Sequence, residues 1–118
     1  MKGSYIQPGD HINYTNSGET KIAALTLAFI GTLACIAGCD IEPGETGSLA
    51  TRGVFSFSKD DNAITLGADV YYDTENDVAT ASADNGESGD DKVEFAKIGV
   101  CVSAAAATDT AVQVRINS

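Results

Sequence analysis

The residues of this chain best equipped for chemistry are few and scattered. Three cysteines are present, Cys35, Cys39 and Cys101, with a single histidine, His11. An odd number of cysteines makes a poor disulfide framework, and without a paired C-x-x-C motif one histidine does not complete a zinc site. The simplest reading of the cysteines is as small buried residues in a reducing compartment. A Ser/His/Asp or Cys/His arrangement would have to use His11, and no motif fixes a nucleophile and a base beside it. No G-x-x-x-x-G-K-[ST] and no G-x-S-x-G occurs, so neither a phosphate loop nor a nucleophile elbow is encoded. Asp73, Glu75 and Asp77 alternate as calcium-loop ligands do. However, Val78 stands where such a loop needs glycine, and Asp84 where it needs a bidentate glutamate, so an acidic hairpin tip is the expected reading. The acids Asp84, Glu87, Asp90 and Asp91 read as a solvated loop. Asn13-Tyr14-Thr15 matches a glycosylation sequon, which carries meaning only in a secreted eukaryotic protein. No catalytic, cofactor or metal residue is therefore assigned.

One motif of a different kind competes with these. Ile36-Ala37-Gly38-Cys39 fits a bacterial lipobox, with Lys21 and an apolar segment upstream. It supports an alternative reading, a bacterial surface lipoprotein acylated at Cys39. Against it, the region ahead of the apolar run is long, carries Asp10 and Glu19, and does not resemble a short basic leader. The run Ile22–Cys39 itself has no charge. It is at the short limit for a membrane span, with Lys21 as the one basic residue directly beside it and no aromatic belt.

Composition narrows the classes further. The chain has 118 residues, 17 acids against 7 bases and a formal net charge of -10. That size suits one domain. The charge argues against a nucleic-acid surface and against binding to anionic lipid headgroups. With no Trp, 4 Phe and 4 Tyr, the core must be built mainly from Ala, Val, Ile and Leu.

The elements that must position these residues read as strands. Residues 1–10 form an expected extended arm, in which Pro8 biases Gln7 toward extended geometry and Gly9-Asp10 turns the chain. A single β body is expected over residues 11–118. His11–Thr15 alternates. In the apolar run, Leu25, Leu27 and Phe29 alternate with Ala24, Thr26 and Ala28. Gly31 breaks the run, and Leu33, Cys35 and Ala37 alternate beyond it. Ile22, Leu25, Phe29, Leu33 and Ile36 also form a stripe at helical spacing, so periodicity alone leaves both readings open. Glu42-Pro43-Gly44-Glu45 is a strong turn. Ser48–Phe57 and Ile64–Asp73 are expected as single strands, the latter with Ile64, Leu66, Ala68, Val70 and Tyr72 on one face. Val78–Ala83 is a hairpin return. In Val93–Ser103, Val93, Phe95 and Cys101 oppose Ile98, Val100 and Val102. Thr110–Ile116 closes the chain with Val112, Val114 and Ile116 inward. About eight short strands without a long capped helix predict an all-β barrel or sandwich. A thin internal echo joins the segments around Ile36–Thr46 and Val100–Thr110.

At this point the chain resembles the tailed-phage capsid cement, or head decoration, proteins. The resemblance is carried in order by Tyr5-Ile6-Gln7-Pro8-Gly9-Asp10, then Ile41-Glu42-Pro43-Gly44-Glu45 leading into Leu49-Ala50-Thr51-Arg52-Gly53-Val54-Phe55. Leu66-Gly67-Ala68-Asp69-Val70-Tyr71-Tyr72-Asp73 follows, then Ile98-Gly99-Val100 and Val112-Gln113-Val114-Arg115-Ile116. Ala34-Cys35-Ile36-Ala37 departs from an aromatic-Gly-Val-Ala run often seen there, and the Asp84–Lys92 loop is longer. The resemblance implies a non-enzymatic structural protein without a cofactor. It implies a homotrimer bound to the major capsid protein on the outer surface of a virion, clamping neighbouring capsomers after assembly in the host cytoplasm. The arm residues Ser4, Tyr5, Ile6, Gln7 and Pro8 are the expected shell contacts, by strand addition to a neighbouring sheet edge.

Overall fold

The computed structural model describes residues 1–6 and 9–118. It is all-β. Strands β1 (His11–Thr15), β2 (Leu27–Ile30), β3 (Leu33–Ala37) and β4 (Thr46–Ala50) form one antiparallel sheet in the order β1-β4-β3-β2. Strands β5 (Val54–Ser58), β6 (Asp69–Asp73), β7 (Val78–Thr80), β8 (Ala96–Ser103) and β9 (Ala111–Ile116) form a second, in the order β5-β9-β8-β6-β7. A short 3-10 turn, Gly89–Asp91, lies in the acidic loop.

The charge-free run becomes a hairpin. β2 and β3 pair antiparallel, Ile30 opposite Leu33, across a tight turn in which Gly31 has φ 64°. Glycine takes that conformation without the Cβ penalty other residues meet. The run needs no charges because β3 is buried on both faces. Ala34 and Ile36 face the main core with Ile64, Val70, Ile98, Val112, Val114 and Ile116, while Cys35 and Ala37 face a second cluster with Ile41 and Leu49. Burying each of these Ile, Leu and Val side chains contributes about 1.5–3 kcal/mol. Alternation therefore decides against the helical stripe. Among the described residues no helix is long and apolar enough to cross a membrane.

Two expected strands are corrected. Ser48–Phe57 is not one strand. β4 and β5 belong to different sheets, and the chain turns between them at Gly53, φ 130°. Leu49 lies in the second cluster, whereas Phe55 and Phe57 pack on the main core. Ile64–Asp73 becomes a strand only from Asp69. Thr65–Ala68 is a turn with Gly67 at φ 84°, and Leu66 is 67% exposed rather than aligned with Val70. In β8, register shifts opposite Val70/Tyr71 and between Cys101 and Ser103 rotate the strand. Ile98 and Cys101 consequently enter the same core rather than opposite faces.

The thin internal echo has a geometric basis. Each sheet begins with an edge strand, β1 or β5, that pairs with the last strand of its own half, β4 or β9. Ile22 and Ile41 exchange backbone hydrogen bonds of 2.9 and 2.8 Å, and Ile64 and Ala105 exchange two of 2.9 Å. Leu25 N donates to Ala37 O at 2.8 Å as Gly67 N does to Cys101 O at 2.8 Å, and the return bonds run from Ala37 to Thr26 and from Cys101 to Ala68. The turns after Ile41 and Ala105 share a hydrogen-bond pattern. Glu45 closes onto Glu42, and Asp109 onto Ala106, each by a backbone bond and a returning carboxylate bond. Strand orders β1-β4-β3-β2 and β5-β9-β8-β6 thus repeat one motif, with β7 and the acidic loop inserted in the second copy.

One side chain joins the two copies, and another braces the second copy from within. Asn117 donates from Nδ2 to Ala34 O (2.7 Å) and Thr51 O (2.6 Å) and accepts at Oδ1 from Ala34 N (2.9 Å). Lys59 is buried, and its Nζ donates to Asp60 O, Ala106 O and Asp109 O at 2.8, 3.0 and 3.1 Å.

Candidate functional site

The structure places the sequence candidates apart from one another. His11 is exposed at the start of β1, opposite Ala50. Cys35 and Cys101 are free thiols buried as expected, whereas Cys39, past the end of β3, is exposed rather than buried. Burial pushes the Cys35 thiol above its ordinary value, which keeps it protonated and unreactive. The lipobox residues Ile36 and Ala37 are buried in β3. Cleavage ahead of Cys39 would remove β1, β2 and β3, most of one sheet, which counts against the lipoprotein alternative.

The acidic tip is built as a turn. Asp73 is buried. Its Oδ1 accepts from the backbone N–H groups of Glu75 (2.9 Å) and Asn76 (3.1 Å), and its Oδ2 from Asn76 Nδ2 (2.8 Å). Burial pushes its carboxyl up, but these hydrogen bonds outweigh it and hold the carboxyl below the usual carboxylate value. Asp77, at φ 55°, accepts a 2.6 Å hydrogen bond from the Tyr72 hydroxyl. That bond, with burial and the nearby acids, raises the Tyr72 hydroxyl above its ordinary value. Among the described residues no group of three or more His, Cys, Asp or Glu is arranged to hold a metal ion.

What the surface does present is unpartnered apolar area. Tyr5 and Ile6 are 82% and 84% exposed, in a segment, Met1–Ile6, without regular secondary structure. Of the expected contact residues, Ser4, Tyr5 and Ile6 are exposed, and Gln7 and Pro8 lie outside the described residues. Gly9 and Asp10 are tied to the body: Thr51 Oγ1 donates to Gly9 O, and Thr51 N donates to Asp10 O at 2.7 Å. Asp10 also approaches Arg52 at 3.7 Å. Chain continuity therefore fixes the root of the N-terminal segment beside the end of β4.

A second apolar feature was not legible in the sequence. A cavity of about 420 Å³ opens between the sheets, with Ile36, Phe55, Phe57 and Ile98 in its walls and Leu25 and Asp77 among the residues around it. Ile36 and Ile98 are buried, while Leu25 is 77% exposed. A second cavity, of about 560 Å³, is lined by Arg52 and Arg115, the only arginines of the chain. Asp10 neighbours Arg52 (3.7 Å), and Arg115 Nε donates to Ser118 Oγ at 2.7 Å.

These features define a small all-β protein whose distinctive surface is apolar and acidic and whose buried polar groups are engaged in holding the fold. The chain belongs to the phage cement protein family, whose model matches residues 6–116. No curated protein and no solved structure matches it. Family membership carries a capsid cement role in a bacteriophage and association with the virion capsid.

Proposed function

We propose that this protein binds the outside of a phage head as a homotrimer, contacts the major capsid protein, and stabilises the seams between capsomers without catalysing a reaction. In this reading residues 11–118 form one rigid β body and residues 1–10 an arm. Ser4, Tyr5, Ile6, Gln7 and Pro8 make the shell contact.

The observation that carries the proposal is the N-terminal segment of a cement-family chain, with two large apolar side chains left in solvent. Exposed apolar groups of this kind gain stability when a partner covers them. An extended segment can join a sheet edge through main-chain hydrogen bonds, with alternate side chains supplying specificity. A symmetric trimer multiplies modest contacts through effective concentration, which suits a protein resisting internal pressure. The charge of -10 keeps free subunits soluble and apart until they dock, and it suits a position away from packaged DNA. Subunits would be present in the host cytoplasm during assembly and on the outer virion surface afterwards.

Adding purified protein to undecorated heads of the cognate phage tests this. Bound copies are expected in threes on the outer surface by electron microscopy, and decorated heads are expected to survive higher temperature or chelator. A protein that leaves such heads bare overturns the reading. Deleting residues 1–8 is expected to reduce binding at least tenfold, and unchanged binding would remove the arm from the contact.

A further inference from the structure

Three turns of one design lead into strands of this fold, and one departs from the design. Ala23–Thr26, Glu42–Glu45 and Thr65–Ala68 each close with a hydrogen bond from the fourth residue's N–H to the first residue's carbonyl, at 3.3, 3.0 and 3.1 Å. The third residue lies at positive φ in each: Gly44 at 85°, Gly67 at 84° and Leu25 at 66°. Glycine occupies that region freely, whereas a leucine there is strained. Leu25 also leaves 77% of its surface in solvent. A strained backbone thus holds up an apolar side chain that contributes little to the core.

Leu25 stands over the cavity of about 420 Å³, and the walls of that cavity are unusual. They include the successive residues Phe55–Ser58 of β5 and Asp77–Ala79 at β7, so two strand edges border the space as well as their side chains. β5 and β7 are the two edges of their sheet. They meet through the bridge of Lys59 with Ala79 and a 3.1 Å hydrogen bond from Asp60 N to Ala79 O. Among the described residues, no backbone hydrogen bond reaches the outer edge of β5 from Val54 to Ser58. The sheet therefore closes on itself at one end and leaves an open seam with an apolar floor.

We propose that this seam accepts one extended segment of the shell protein, which adds a strand to β5 and seats two apolar side chains in the cavity beneath Leu25. The proposal rests on the head-binding reading above and adds a second contact to the arm. An unpaired edge is a ready template for strand addition. Side chains of an added strand alternate, so residues i and i+2 would face the cavity beside Phe55 and Phe57. Charge selects the occupant. Asp77 lies at the seam of a chain carrying -10, which suits a shell-protein segment flanked by Lys or Arg. The N-terminal segment of a second copy fits poorly, because Met1–Ile6 contains no two large apolar residues at i and i+2.

Leu25→Gly is the decisive variant. Glycine suits the turn, so Tm is expected to stay level or rise, while binding to undecorated heads falls at least tenfold. A Tm several degrees lower would make Leu25 a structural residue and overturn the proposal, as would unchanged binding. A photo-cross-linking residue at position 56, where Ser56 is exposed on β5, is expected to capture a shell-protein peptide on decorated heads. Capture of residues 1–6 of this chain, or no capture at normal binding, would also overturn it. Wild-type protein serves as the reference: if it binds heads and L25G binds equally, only the seam is lost, and if it does not bind, the head-binding reading itself fails.

Discussion

Asn117 and Ala34, 83 residues apart in sequence, are joined as though they were strand neighbours. The Asn117 side-chain amide accepts from Ala34 N at 2.9 Å and donates to Ala34 O at 2.7 Å, then reaches Thr51 O at 2.6 Å. It sits just after β9 of one sheet and fastens to β3 of the other. Its backbone, at φ 60°, is one that asparagine tolerates better than most residues.

Asn117→Ala should be costly for two separable reasons. It strands the N–H and carbonyl of Ala34 and the carbonyl of Thr51, and it puts a Cβ residue without a compensating side chain in the left-handed region. A loss of about 2–4 kcal/mol is expected, read as a lower urea midpoint. Asn117→Gly removes the backbone part alone. It should recover up to about 1 kcal/mol relative to alanine and remain well below wild type. Equality of N117G with wild type would show that the amide does not hold the sheets.

Lys59 braces the second half from within. Its buried ammonium is satisfied by three carbonyls and caps the turn Ala106–Asp109. Lys59→Met keeps most of the aliphatic volume but leaves those carbonyls facing an apolar group. A loss of about 2–4 kcal/mol is expected in chemical denaturation. Amide exchange should rise first at Lys59 and Ile64, whose N–H groups bond to Thr110 O and Ala105 O. A variant with unchanged exchange there would place the role of Lys59 elsewhere.

Asp73 should make the fold sensitive to acid. Its carboxyl lies below the ordinary value when folded, because backbone and Asn76 hydrogen bonds favour the ionised form despite burial. The unfolded chain then binds a proton more readily. The stability this group supplies is present above its unfolded pKa and is lost as pH falls through the folded value. Unfolding midpoints measured from neutral pH down to pH 2 should fall more for wild type than for Asp73→Asn, with the two curves converging at the acid end. Parallel curves would remove Asp73 from the acid response.

Much of the local architecture was legible because periodicity is a local property. In β9, Val112, Val114 and Ile116 are buried and Ala111, Gln113 and Arg115 are not, as their alternation predicts. Gly31 divides the charge-free run where a hairpin must turn, and the apolar residues on both faces of β3 correspond to two clusters. The same logic failed where alternation ran through a turn. Leu66 continues the pattern of Ile64 and Val70 yet is exposed, because Gly67 takes a conformation that ends the pleat. Gly53 likewise sends β5 to the other sheet although Leu49, Thr51, Phe55 and Phe57 keep period two.

The sequence by itself determined that the chain is all-β, which faces of β3 and β9 are apolar, where the strong turns lie and, through ordered motifs spanning the chain, the family it resembles. These follow from residue type and near-neighbour spacing. Only the tertiary structure decided which strands share a sheet, that the two halves repeat one motif, that Asn117 meets Ala34, and that an open seam lies beneath Leu25. Those relations depend on pairing between distant segments, where the free energy comes from burying one strand's face against another. No window of neighbouring residues contains both partners.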